Sequence, residues 1–128
     1  MVKLTPINAD GAPSAAASYS HAMKAGDFIY LSGQIALTPD NKLVEGSITD
    51  KAEQVIQNIK TVLEAGNSSL ERVVKVNIFL ADINYFAEFN KVYAKYFNVH
   101  KPARSCVAVA ALPLGADLEI EVVAVENE

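Results

Sequence analysis

SITDKAEQVIQNIKTVLEAG, residues 47–66, followed closely by VVKVNIFL, residues 73–80, is the stretch from which the architecture can be read. In the first segment Ile48, Ala52, Val55, Ile56, Ile59, Val62 and Leu63 recur at helical spacing and make one apolar stripe. Ser47 stands where an N-cap belongs, with Asp50 three residues on, and Gly66 falls where a left-handed residue would end the helix. In the second segment Val74, Val76, Ile78 and Leu80 alternate with Lys75, Asn77 and Phe79, the period of two that marks a strand. An amphipathic helix leading into an alternating strand predicts an α+β unit.

Toward the N-terminus, Phe28 to Ser32 is aromatic and β-branched and reads as a strand ended by Gly33. Thr38-Pro39-Asp40-Asn41 is a turn cluster, and the small, polar run Ala12 to Ser20 reads as an arm or loop. Toward the C-terminus a second helix is expected from about Asn84, with Phe86, Phe89, Tyr93, Tyr96 and Phe97 on one face. Two more strands follow, Arg104 to Ala110 and Leu118 to Val125, joined through Leu112-Pro113-Leu114-Gly115. The expected order is ββ-α-β-α-ββ, a mixed sheet with two helices on one face.

The other face then lacks a cover. In the last strand Leu118, Ile120, Val122 and Ala124 point one way, while Val123 and Val125 lie opposite beside Glu119 and Glu121. Ser105, Val107 and Val109 likewise oppose Cys106, Ala108 and Ala110. Strands apolar on both sides, with helices enough for one, predict that a second copy of the chain buries the remaining face.

The composition fits this picture. The 128 residues are 51% apolar and 20% charged, which suits a single globular domain over residues 1–128 with its own core. Eleven basic against 15 acidic residues leave a net charge of −4, which argues against a nucleic-acid partner, since phosphate binding needs clustered cations. A lone cysteine cannot close an internal disulfide and suits a reducing compartment. No apolar run reaches the ~18–20 residues of a membrane span. Met1 to Pro6 has neither a secretory stretch nor an Arg-rich mitochondrial leader, so a cytoplasmic protein is expected, with a nuclear pool left open.

Few chemistries find a foothold. His21 and His100 are isolated and Cys106 has no partner at metal-ligand spacing, so no metal site, and structural or solvated roles for both histidines, are expected. A Cys–His pair is formally open, but Cys106 alternates within an apolar strand and reads as buried. Phosphate-loop, dinucleotide and serine-hydrolase motifs are absent from the sequence. What stands out is Arg104, opening an otherwise apolar strand, and the pair Glu119 and Glu121. A guanidinium fork suits bidentate capture of a carboxylate, but the pattern alone favours a strand-end arginine paired with Glu119 or Glu121. The two glutamates share a face that is either solvated or able to hold a water for general-base chemistry.

Several motifs, in order and spacing, resemble one family. They are Ser18-Tyr19-Ser20-His21-Ala22, Gly26 to Gln34 (GDFIYLSGQ), Val74-Lys75-Val76, Phe89-Asn90-Lys91-Val92-Tyr93, Pro102 to Val107 (PARSCV) and Leu118-Glu119-Ile120-Glu121. Together they are similar to the reactive-intermediate deaminases (RidA, formerly YjgF), most of all the fungal members, from about Tyr19 to Val125. The Leu-Ser-Gly-Gln and Pro-Ala-Arg-Ser segments are specific in combination. Many members carry Gly-Pro before the tyrosine and Gln two residues after it, where this chain has Ala17-Ser18 and His21.

The resemblance implies a chorismate-mutase-like fold, a homotrimer with three clefts between subunits, and no cofactor. It implies hydrolysis of 2-iminobutanoate and 2-iminopropanoate, products of pyridoxal-phosphate-dependent dehydratases, to 2-oxo acids and ammonia. By the same resemblance Arg104 would clamp the substrate carboxylate and Glu119 would activate water. Tyr19 and Asn90 would line the cleft, and Ser32, the backbone at Gly33 and the Cys106 segment would hold the imine end. The alternative is a non-catalytic trimer that senses small carboxylate metabolites. A ribonuclease activity, attached to some relatives, sits poorly with the absence of a cationic track.

Overall fold

A computed structural model describes residues 1–128. The elements run β1 (Leu4–Ile7), β2 (Ala22–Ala25), β3 (Phe28–Leu31), β4 (Gln34–Ile35), α1 (Ile48–Ala65), β5 (Val73–Leu80), α2 (Phe86–Tyr96), β6 (Ala103–Ala108) and β7 (Leu118–Val125). They make a single mixed sheet in the order β1-β2-β3-β7-β5-β6, antiparallel throughout except for the parallel pair β5–β6. Both helices lie on one face, as the pattern of apolar residues required. The expected architecture, two helices against a mixed sheet, is the one observed.

α1 forms where its stripe placed it. Ser47 caps it by accepting from the Asp50 amide, and the Asp50 carboxylate accepts from the Ser47 amide in return. The whole stripe is buried. Asn58 is buried with it and donates to the carbonyls of Leu37 (2.8 Å) and Ile35 (3.3 Å), tying α1 to the segment after β4. Gly66 does not take the expected left-handed conformation: its φ is −94°, and Asn67 (φ 58°) supplies that turn instead. Glycine is needed at 66 for space, since a Cβ would lie 2.8 Å from Ile7 Cδ1 and 3.3 Å from Ile29 Cδ1.

α2 begins at Phe86, after a short 3-10 turn over Ile83–Tyr85, rather than at Asn84. Phe89, Val92, Tyr93 and Phe97 enter the core; Phe86 lies at its edge and Tyr96 turns to Glu53 on α1. From the sheet come Ile29, Leu31, Val76, Ile78, Leu80, Leu118, Ile120, Val122 and Ala124. Four strands precede α1 where two were expected, and of these only β3 was placed in the sequence. β1 and β2 extend the sheet beyond β3, and β4 continues β3 along β7 after a break.

That break matters most. Tyr30 pairs with Val123 and Gln34 with Ile120, so four steps along the β3–β4 segment span three along β7. One extra residue is accommodated at Leu31–Gly33, a bulge that re-aims the side chains around it. The helix-free face carries Met23, Phe28 (45% exposed), Tyr30 (50%) and Val107 (48%), large apolar side chains left open to solvent in the single chain.

Candidate functional site

Tyr19, Ser32, Gly33 and Glu119 line a single depression of about 750 Å³ on the helix-free side of the sheet. The bulge forms its floor. The arm from Pro13 to Tyr19 forms one wall, and Pro113 and Leu114 form the other. The arm is held by hydrogen bonds. The Ser32 hydroxyl donates to the Ser20 carbonyl (2.7 Å), and the Ser32 amide donates to the His21 carbonyl (3.0 Å). With its proton committed to the arm, the Ser32 hydroxyl can meet a ligand only as an acceptor.

His21 anchors the base of the same arm. It is 4% exposed; its Nδ1 accepts from the Ala9 amide (2.9 Å) and its Nε2 donates to the Pro13 carbonyl (2.7 Å). That pair of bonds orients the ring, with Nδ1 facing a donor and Nε2 facing an acceptor. His100 donates to the Val73 carbonyl (2.6 Å). Both histidines therefore have the structural roles expected of them. Asn41, at φ 61°, donates from Nδ2 to Ser14 Oγ (2.9 Å) and ties the arm to the 38–41 turn. The turn is legible in the sequence, but its contact with the arm, 27 residues away, is not.

Glu119 sits beside the bulge, paired across β7 with Ile35 and Phe79. A Cβ at Gly33 would fall 2.7 Å from Glu119 Cδ and 3.0 Å from Oε2, so the carboxyl lies directly against that glycine. Burial pushes its pKa above the ordinary glutamate value, and the like charge of Glu121 adds to the push. The raised value makes Glu119 a better proton acceptor when ionised. Glu121, next on the same face, accepts from Asn77 Nδ2 (3.1 Å).

Arg104, Asn90 and Cys106 form a second group. Arg104 Nη1 donates to Asn90 Oδ1 (2.8 Å), and the guanidinium lies 4.8 Å from the Tyr93 ring and 5.7 Å from that of Phe86. Three side chains of α2 thus hold one cation, with the remaining guanidinium N–H donors not used by Asn90. Arg104 pairs with neither Glu119 nor Glu121, so the strand-end ion pair is ruled out. Burial raises the pKa of the half-buried Cys106 thiol, against a smaller opposing pull from Arg104. The sulfur stays a neutral thiol, a poor nucleophile. Burial also raises the Tyr93 phenol, whose hydroxyl has no hydrogen-bond partner.

The two groups do not meet within one chain. Arg104 is in register with Val76 and Cys106 with Ile78, so both point to the helix-covered face. Glu119 is in register with Phe79, one residue out of phase with Ile78, and points to the opposite face. No three His, Cys, Asp or Glu side chains converge as a metal site would need. No helix is long and apolar enough to cross a membrane.

The chain matches the family model described as endoribonuclease L-PSP over residues 9–126. It is 78% identical over 125 residues to Protein HMF1 of Saccharomyces cerevisiae, spanning 98% of this chain and 97% of that one. It is 44% identical over 124 residues to the chloroplastic Reactive Intermediate Deaminase A of Arabidopsis thaliana, spanning 96% of this chain and 66% of that one. Among solved structures, Escherichia coli TdcF with bound serine superposes with a TM-score of 0.90 at 34% identity, over 95% of this chain and 99% of that one. These matches place the chain in the endoribonuclease L-PSP family, that of the RidA and YjgF proteins.

Proposed function

We propose that this protein is a cofactor-independent imine deaminase, hydrolysing 2-iminopropanoate and 2-iminobutanoate to 2-oxo acids and ammonia in clefts between the copies of a homotrimer. The observation that carries the proposal is the division of the candidate site. A carboxylate with a raised pKa in a shaped depression and a pre-oriented guanidinium occupy opposite faces of one sheet, so only two copies can present both to one small molecule. The exposed apolar residues on the helix-free face supply a reason for copies to associate there. A plant relative named as a reactive intermediate deaminase and a bacterial one solved with serine, a small amino acid with a carboxylate, support this substrate class.

The chemistry asks little of the protein. Arg104 of one copy binds the substrate carboxylate through its free N–H donors while Asn90 holds the guanidinium in place. Glu119 of the next copy accepts a proton from water as the water oxygen bonds to the imine carbon. With the imine nitrogen protonated at the outset, the resulting carbinolamine takes that proton on nitrogen, the C–N bond breaks with its electron pair leaving on ammonia, and the hydroxyl proton returns to Glu119 as the C=O forms. Ser32 accepts a hydrogen bond from the imine N–H, and Tyr19 closes the open side of the depression. The net charge of −4 argues against nucleic acid as the ligand. A cytosolic place of work, supported by the lone cysteine, belongs to the same proposal and would show in the localisation of a fluorescent fusion.

The test is a coupled assay in which a threonine or serine dehydratase generates the imine and 2-oxo acid release is followed with and without this protein. Acceleration above spontaneous hydrolysis is expected. An unchanged rate at a pH where spontaneous hydrolysis is slow would overturn the deaminase and favour a metabolite sensor.

A further inference from the structure

Three residues other than glycine stand in left-handed backbone: Asn41, Asn67 and Leu114. Asparagine tolerates that region; leucine does not, because its Cβ crowds the following carbonyl. Leu114 (φ 57°, ψ 20°) lies between Pro113 and Gly115, and Gly115 is itself at φ 68°. Its side chain is 69% exposed and outside the core, so packing within the chain does not account for the strain. What the conformation does is display an isobutyl group on the wall of the depression that holds Glu119 and Tyr19. Backbone strain of this kind persists where the surrounding structure imposes it, and it gathers at ligand sites.

We propose that Leu114 is a specificity-determining residue: it is the apolar wall against which the substrate side chain packs, so the cleft favours 2-imino acids with larger apolar side chains. The inference rests on the deaminase proposal for the location of the substrate and extends it to substrate choice. Each methylene brought against such a wall strengthens binding about fourfold. A hydroxymethyl side chain gains no such advantage and is disfavoured.

Calorimetry on the intact protein, with the stable products as probes, tests this. Affinity is expected to rise from 2-oxopropanoate to 2-oxobutanoate to 2-oxo-4-methylpentanoate. In Leu114→Asn, chosen because asparagine suits the left-handed turn, the series flattens to within about twofold while the melting temperature holds or rises. A flat series in the wild type overturns the proposal, as does a variant that keeps the gradient or loses all three ligands equally. Dissociation of the Leu114→Asn oligomer in sedimentation would also overturn it, by making Leu114 an interface residue. A graded wild type that hydrolyses no imine would sink the deaminase and leave the wall standing.

Discussion

The two halves of the candidate site are organised in opposite ways. The Arg104 half is a rigid cation mount on the helix-covered side of an edge strand. An amide from α2 accepts one N–H of the guanidinium, and two aromatic rings support it. The Glu119 half is a concavity on the other side of the sheet, made by a one-residue bulge and an arm strapped down by Ser32 and His21. One half is fixed by side-chain contacts and the other by backbone geometry. Loss of a contact should therefore disable the first, whereas a single added methyl should disable the second.

The largest effect is expected from Arg104→Ala. Removing a charged partner of a bound carboxylate costs about 2–5 kcal/mol, so turnover should fall roughly thirtyfold or more while the oligomer stays assembled. Near-normal activity on freshly generated iminopropanoate would remove Arg104 from the site. The proposed division between copies sharpens this further. Arg104→Ala and Glu119→Gln, each impaired alone, should regain activity when unfolded and refolded together, with about a quarter of the sites in a random trimer intact. No recovery on mixing would mean that both groups act from one chain.

A smaller loss is expected from Gly33→Ala. The new Cβ would meet the Glu119 carboxyl at 2.7 Å, and β4 holds the backbone there against β7. The carboxylate must swing away, but it is the far end of a flexible side chain, so a loss of about tenfold is expected, below the ~100-fold that a full displacement of about 1 Å at a reacting group can cost. The fall should appear in kcat with a normal melting curve. Unchanged kcat would show that Glu119 needs no such placement.

The smallest effect concerns pH. Glu119 is held above the ordinary glutamate pKa, first by burial and then by Glu121, so its basic form is lost earlier as pH falls. Glu121→Gln removes the like charge and should move the acid limb of the rate profile to lower pH. The sign for stability follows from the same shift. A raised pKa means the folded state keeps a proton that the unfolded chain has released, so stability declines as pH rises through the interval above the ordinary value. Glu121→Gln should narrow that decline. An acid limb that stays in place would mean another group titrates there.

Some elements were legible because their information is local. The apolar stripe of α1 and the alternation of β7 and of β5 from Val76 onward each lie within one segment and required no partner to be recognised. Val74, expected beside Val76, is exposed instead, because a bulge between Val73 and Lys75 puts Val73 into the core. The N-terminal strands were not. β1 is a mostly exposed edge strand containing Pro6, and β2 is Ala22-Met23-Lys24-Ala25, without β-branched residues; neither carries a periodic signal. β4 has only two residues and exists as a strand because β7 is there to pair with it. Gly66 was recognisable as a helix-ending residue for the wrong reason, since the side chains that crowd it, Ile7 and Ile29, belong to distant strands.

For the site, the sequence alone determined the chemical groups: an arginine opening an apolar strand, a glutamate alternating with core residues, and a glycine after Leu31-Ser32. Only the tertiary structure decided that they lie in two separate groups on opposite faces of the sheet. Alternation fixes which residues of a strand share a side, but the phase of one strand against another is set by register. Here β6 runs parallel to β5 and β7 antiparallel to it, in registers that send Arg104 and Glu119 to opposite faces. Short-range periodicity carries no information about that relative phase, because hydrogen bonds between segments far apart in the chain create it.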